Sequence, residues 1–130
     1  MRDIKFRVWS PGNKSMHSAP YIYKGEVYTW GHDGMVPWYS EDQIKLHGVP
    51  VLMQYTGLQD KNGVEIYEGD IVSSYYPNAV VFFSGGSFMT YIDKGLFIEL
   101  SQNGLFDTSG NNIYYEVIGN IHQNPDLLDD

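Results

Sequence analysis

The segment from Leu52 to Val72 constrains the fold of this chain more than any other part of the sequence. Residues typical of β-strands alternate there with two groups of turn-forming residues, Asp-Lys-Asn-Gly at 60–63 and Glu-Gly-Asp at 68–70. Asn62 and Gly63 both tolerate positive φ, which a tight hairpin turn needs. The segment therefore predicts a strand, a tight turn, a short strand, a second turn and a third strand.

Composition indicates a folded, β-rich protein. The chain has 130 residues, of which 42% are hydrophobic and 18% charged, so it can form the core of one domain. Its 11 Tyr and 14 Gly favour pleated strands and tight turns. The chain contains no Cys, which excludes disulfides, thiolate zinc sites and cysteine nucleophiles. We predict no cofactor.

Charge is distributed unevenly along the chain. Residues 1–45 carry six basic and five acidic side chains, a net +1, whereas residues 46–130 carry two basic and eleven acidic side chains, a net −9. A net charge of −8 disfavours direct nucleic-acid binding, because such binding depends on Lys and Arg contacts to phosphates. The acidic part either keeps the protein soluble or docks on a basic partner.

Hydropathy predicts a cytoplasmic protein without a membrane partner. No run approaches the roughly 18 apolar residues that a membrane-spanning helix needs. The first residues alternate polar and apolar side chains from Arg2 to Arg7, unlike the apolar region of a signal peptide.

Periodicity predicts mostly short strands. In the first part, residues 3–9 form a strand, residues 21–23 and 26–30 form a hairpin, residues 31–39 form a loop, and Ser40 begins a short helix to Leu46. After Pro50, the predicted strands cover residues 51–55, 64–67, 71–76, 80–83, 88–92 and 113–121. Residues 96–100 could add another strand, and residues 104–112 are typical of a loop. Residues 124–128 predict one terminal helical turn.

These elements predict a mainly β fold with at most two short helices. Short strands joined by tight turns favour a small barrel or roll, because closure hides strand edges. We predict one domain, 1–130. Its N-terminal part, 1–48, holds a strand, a hairpin and the short helix. Its second part, 49–130, holds the barrel, at about 49–123, and the C-terminal turn.

Four segments together resemble the YopX family of phage and prophage proteins. They are residues 4–9, 51–63, 66–72 and 116–128. The resemblance implies an SH3-like barrel and an origin in a phage or prophage of a bacterial host. It implies no activity, because no biochemical function carries over from the family.

The two carboxylates of the second turn are candidates for catalysis or for turn formation. Glu68 and Asp70 are neighbours in a turn that already needs Asp as an acceptor for backbone N–H groups. We therefore assign Asn62, Gly63, Glu68, Gly69 and Asp70 to turn structure, and we predict neither catalytic nor metal-binding residues among them.

The histidines do not form a recognisable metal site. His17, His32, His47 and His122 share no metal-ligand spacing. His32 beside Asp33 is the best local candidate for catalysis, but the sequence pairs no nucleophile with it. A hydrolase that uses His32 and Asp33 is therefore the least favoured function.

Aromatic side chains suggest an interaction surface near the N-terminus. The set comprises Trp9, Tyr21, Tyr23, Tyr28, Trp30, Trp38 and Tyr39. Such residues serve sheet packing, protein interfaces or single-stranded nucleic-acid stacking. Because the net charge disfavours nucleic acid, we predict a non-enzymatic protein-interaction or self-assembly module, with itself or a host or phage protein as partner. The alternatives are a nucleic-acid-associated barrel and an acidic inhibitor of a DNA-binding host protein.

Overall fold

The computed structural model describes residues 4–18, 20–31, 34–38, 43–45, 48–74, 77–93, 96–100, 105–106, 112–113 and 115–128. Its contacts define two compact units. The N-terminal unit is Lys5–Gln54, and the C-terminal unit combines Met1–Ile4 with Tyr55–Asp130.

In its described residues, the N-terminal unit contains five complete strands and the beginning of a sixth. They are β1 (Phe6–Ser10), β2 (Ser15–Ser18), β3 (Tyr21–Tyr23), β4 (Glu26–Gly31), β5 (Gly34–Pro37) and the start of β6 (Val51–Gln59). Strand β1 pairs antiparallel with β2 on one side and with Val51–Gln54 of β6 on the other. Strands β3, β4 and β5 form an antiparallel meander.

A small core holds this unit together. Val8, Val27 and Trp38 are buried in one cluster, and Ile22 packs against it. The Trp38 indole Nε1–H donates to the Gly48 carbonyl at 3.1 Å, which satisfies the polar atom of a buried aromatic side chain.

Two elements of this unit differ from the sequence-based prediction. Strand β2 was not predicted, and β5 lies within the predicted loop 31–39. Both are short strands that form through pairing with a neighbour, such as Val36 with Thr29. Residues 43–45 are helical, inside the predicted helix. The other residues of that helix, 40–42 and 46, lie outside the described residues.

Where the structure describes it, the C-terminal unit contains the end of β6 and eight further strands. They are β7 (Glu65–Tyr67), β8 (Asp70–Ser73), β9 (Ala79–Ser84), β10 (Ser87–Asp93), β11 (Leu96–Glu99), β12 (Leu105–Phe106), β13 (Asn112–Ile113) and β14 (Glu116–Asn120), followed by a 3-10 helix at Pro125–Leu128. Strands β11, β10, β9, β8 and β14 form one antiparallel sheet in that order, curled into a half-barrel. The prediction of a mainly β fold with a barrel-like core is confirmed.

The core of this unit combines residues of the five-stranded sheet with residues outside it. Its buried members are Ile66, Val72, Val81, Phe88, Leu100 and Tyr115, with Leu58 and Val117 packed against them. Because these residues come from several strands and connections, the core depends on the sheet order rather than on any single hairpin.

The predicted hairpins β3–β4, β6–β7 and β9–β10 are confirmed by their pairings. The last predicted strand, 113–121, is shorter in the structure. Ile113 pairs instead with Leu105 in the β12–β13 hairpin, which occupies part of the predicted loop 104–112. The predicted strand 71–76 ends at Ser73, and residues 75–76 lie outside the described residues.

Gly119 allows the C-terminal turn to pack closely against β14. A Cβ atom at this position would lie 2.5 Å from Asn124 Oδ1 and 2.9 Å from Leu127 Cδ1. Asn124 Oδ1 has little room to move, because it accepts the Asn120 backbone N–H at 3.2 Å. We expect Gly119→Ala to lower the free energy of unfolding by about 1–3 kcal/mol through overpacking, as measured by urea denaturation.

A double variant tests the cause of that effect. Asn124→Ala removes the nearest clashing atom, so Gly119→Ala should cost less in the Asn124→Ala background than in the wild type. Equal costs in both backgrounds would contradict the steric explanation.

Candidate functional site

Asp60 organises the turn between β6 and β7 and ties it to β14. Its buried carboxylate accepts three backbone N–H groups: Oδ1 accepts those of Asn62 at 2.8 Å and Val64 at 2.9 Å, and Oδ2 accepts that of Val117 at 2.9 Å. Sequence reasoning missed this residue. Its position two residues before Asn62 in a turn was an available signal, but the bond to Val117, 57 residues away, was not.

The rest of the first turn supports the same connection. Lys61 donates its backbone N–H to the Tyr115 carbonyl at 3.2 Å, and its ammonium lies 3.7 Å from Glu116 Oε2. Gly63 has the positive φ that was expected, 82°, but Asn62 does not. Asn62 contributes through its side-chain amide, which donates to Glu116 Oε1 at 3.1 Å.

The second turn uses Asp70 as a backbone acceptor. Its buried carboxylate accepts the Tyr67 N–H at 2.8 Å across the turn that contains Glu68. Gly69, with φ 85°, donates to the Val81 carbonyl at 2.9 Å. These contacts give Asp70 a role in turn geometry. In the part of the chain that the structure describes, no group of three or more His, Asp or Glu is placed to hold a metal ion.

Tyr115 connects this region to the pH dependence of stability. Only 2% of its surface is exposed, and burial, with a further contribution from the Asp60 carboxylate, raises its pKa to about 12. An unfolded tyrosine has a pKa of about 10. Between these pH values the folded protein keeps a proton on Tyr115 that the unfolded chain loses. The contribution of Tyr115 to stability is therefore fully present below pH 10 and is lost as the pH rises towards 12.

The expected loss is about 2–3 kcal/mol across that range. Urea unfolding at intervals between pH 9 and 12 measures it, and Tyr115→Phe is the control because it removes the titrating hydroxyl. If the variant lost as much stability over this range as the wild type, Tyr115 would not be the cause.

The aromatic set divides between core and surface. Trp9 and Trp38 are only 7% and 4% exposed, so their side chains are unavailable as surface anchors. Tyr23 is exposed near the β3–β4 turn, where its ring lies 6.4 Å from that of Tyr28 and 5.4 Å from the Lys24 ammonium. Tyr21 and Trp30 lie in β3 and β4, but their side chains are not described. Tyr39 lies outside the described residues.

The predicted His32 and Asp33 pair also lies outside the described residues. Among the described residues, the structure places a serine and a histidine together on β2, with Ser15 Oγ 3.0 Å from His17 Nε2. The His17 and Trp38 rings are nearly perpendicular, with 6.1 Å between their centroids. A nucleophilic pair also needs an orienting group and donors for the developing oxyanion. We therefore interpret this contact as a surface hydrogen bond between alternate residues of one strand.

The start of β6 presents an apolar edge in the N-terminal unit. Val49, Val51 and Leu52 are exposed over 53%, 36% and 41% of their surface. On the side away from β1, the described neighbour of β6 is β7, which pairs with it only between Tyr55 and Gln59. No described strand therefore pairs with Val51–Met53 on that side. We call Val49–Met53 the β6 edge; within it, the Pro50 and Met53 side chains are buried.

No residue of the β6 edge is itself charged, and the Arg7 guanidinium of β1 lies 3.7 Å from Met53 Sδ. No Lys, Arg, Asp or Glu occurs between Lys45 and Asp60. Proteins usually protect edge strands with charged side chains, bulges or covering segments, because an unprotected edge can pair with another chain. An exposed, uncharged edge is therefore suited to association.

Strand β14, unlike the β6 edge, is protected against pairing with another chain. It is a terminal strand of the five-stranded sheet, and its register with β8 shifts between Val117 and Gly119. Its Val117 N–H is bound by Asp60, and its Asn120 N–H by the Asn124 side chain. Side-chain acceptors thus occupy backbone donors that could otherwise pair with a second protein.

No helix among the described residues is long and apolar enough to cross a membrane.

Comparison with known proteins identifies the family. The YopX protein family model matches residues 5–129. The crystal structure of protein EF1440 from Enterococcus faecalis has a TM-score of 0.65 and 27% sequence identity, covering 99% of this chain and 100% of that one. The crystal structure of yopX from Bacillus subtilis has a TM-score of 0.61 and 22% identity, covering 96% and 98% of the two chains, a likeness of fold. Among curated proteins, no match was found. Because the family model matches nearly the whole of this chain, the chain belongs to the YopX family.

Proposed function

We propose that this protein is a non-enzymatic protein-interaction module and that its contact surface is the β6 edge. The observation that carries the proposal is the exposure of an uncharged apolar edge, where Val49, Val51 and Leu52 meet solvent. Pairing with a strand of another chain would satisfy the backbone groups of this edge and remove apolar surface from water.

Charge supports this location. The N-terminal unit carries five basic and four acidic side chains, a net +1, whereas the C-terminal unit carries three basic and twelve acidic ones, a net −9. Because the N-terminal unit has little net charge, burial of apolar surface rather than ion pairing would dominate a contact with it.

A substitution at Leu52 tests the proposal in cells. The tagged wild type is crosslinked in its host, together with Leu52→Lys and Val64→Lys, a control at a side chain that is also exposed, over 47% of its surface, but lies outside the β6 edge. We expect protein crosslinks that Leu52→Lys loses and Val64→Lys keeps. Crosslinks that survive Leu52→Lys would place the contact elsewhere. If the wild type formed no crosslinks to any protein, the result would argue against an interaction module.

The proposal also states where the gene of this protein comes from and where the protein acts. The protein is encoded by a phage or prophage and acts in the cytoplasm of the bacterial host, in keeping with the family resemblance. The genes on either side of its own test this, because phage genes of one process cluster. A chromosomal neighbourhood without phage genes would contradict it.

A second candidate function rests on the net −9 of the C-terminal unit. An acidic surface of this kind could occupy a basic site on a DNA-binding host protein. It would not bind DNA itself, because it repels phosphate. Filter binding at low salt should show no retention of single- or double-stranded DNA, and retention would instead support the nucleic-acid-associated alternative.

A further inference from the structure

We infer that the occupant of the β6 edge is a second copy of this chain, which adds its own β6 edge across a two-fold axis. The inference rests on the proposed function and names its partner. It accounts for three features of the same segment: the exposure of Val49, Val51 and Leu52, the lack of charged residues, and the absence of a described strand beside Val51–Met53 on the side away from β1.

Charge favours a second copy over a different protein. A protein with net charge −8 repels its own copies, and that repulsion is weakest where acidic residues are few. The N-terminal unit, at +1, is such a region, and the β6 edge within it carries no charge. A partner selected by opposite charge would instead be drawn to the C-terminal unit, at −9.

Geometry makes the edge complementary to itself. In a two-fold contact each residue i that meets j has a symmetric counterpart, so an antiparallel strand pair closes without further copies. The stretch without a described strand on the side away from β1 is Val51–Met53, and its centre is Leu52. Leu52 then meets Leu52 of the second copy on the axis, with Val51 opposite Met53 on either side.

The test measures the mass of the purified full-length protein in solution. We expect sedimentation equilibrium to show a concentration-dependent dimer for the wild type. Leu52→Lys should weaken dimerisation about tenfold or more, because it places two like charges directly opposite each other at the axis. Val64→Lys adds the same charge at a comparably exposed side chain and should leave the dimer unchanged.

A covalent trap gives an independent measurement. The chain contains no Cys, so Leu52→Cys introduces a single thiol. Mild oxidation should convert this variant into a disulfide-linked dimer on a denaturing gel, and Val64→Cys should remain largely monomeric. Thermal unfolding followed by circular dichroism establishes that each variant is folded.

The outcomes separate the inference from the proposed function. A wild type that is monomeric at all concentrations, while crosslinks to a different protein depend on Leu52, would overturn the second copy and retain the interaction module. A monomer without Leu52-dependent crosslinks would overturn both. A dimer that survives Leu52→Lys, without a Leu52→Cys crosslink, would place the dimer contact at another surface and overturn the inference.

Discussion

Replacing Asp60 with alanine should lower the free energy of unfolding by about 3 kcal/mol. The buried carboxylate accepts the N–H groups of Asn62, Val64 and Val117, so its removal leaves three backbone donors without their acceptor. Hydrogen bonds to charged groups contribute about 1.5–3 kcal/mol each, and water can replace part of them at the exposed turn. The rest of the lost stability comes from the Val117 N–H in β14, which no longer has its Asp60 acceptor.

Urea denaturation measures this effect, and two further variants define its origin. Asp60→Asn retains one oxygen acceptor but sets an amide N–H against one of the backbone donors, so it should fall between wild type and alanine. Glu116→Gln removes the charge that pairs with Lys61 in an exposed ion pair, and it should change stability by about 0.5 kcal/mol or less. A Glu116→Gln cost as large as that of Asp60→Ala would assign the connection to the surface pair.

Removing the Ile66 side chain should destabilise the C-terminal unit by a similar amount. Ile66 is fully buried in the cluster that contains Val72, Val81 and Phe88. Ile66→Ala loses the burial of its methyl and methylene groups and leaves a cavity, at a cost of about 2–5 kcal/mol. The bond from Thr56 Oγ1 to the Ile66 carbonyl, 2.8 Å, involves the backbone and can persist in the variant.

Calorimetry or urea denaturation checks this prediction against a graded series. Ile66→Val should cost about 0.5–1.5 kcal/mol, since it removes one methylene. Val64→Ala, two residues away at an exposed side chain, should cost about 0.5 kcal/mol or less. If Ile66→Ala and Val64→Ala were equally mild, the packing of this core would be looser than the structure indicates.

The hairpins could be predicted because their signals are local. Gly85 and Gly86 join β9 to β10 and have φ values of 61° and 86°. The tight turn requires positive φ, and glycine adopts it without help from distant residues. Strand β5 had no such signal, since its residues become a strand only through pairing with β4. The C-terminal 3-10 helix followed from Asn124 and Pro125, which are neighbours in the chain.

The candidate site could be predicted only in part. Aromatic residues near the N-terminus suggested a surface, but strand alternation does not tell which face is buried, and Trp9 and Trp38 lie in the interior. The β6 edge was visible as a predicted strand, 51–55, without an indication that it has an exposed side. Asp60 was quoted only as part of a turn, since Val117 lies 57 residues further on.

Turn chemistry, strand alternation and short motifs were enough to predict a mainly β chain, its three main hairpins and its YopX resemblance, because they act between residues close in the chain. The packed structure was needed to show that Asp60 accepts a hydrogen bond from β14, that two tryptophans are buried, and that β14 is protected while Val49, Val51 and Leu52 of the β6 edge are exposed. Burial and edge protection depend on which distant segments become neighbours, and the order of strands in a sheet sets that arrangement.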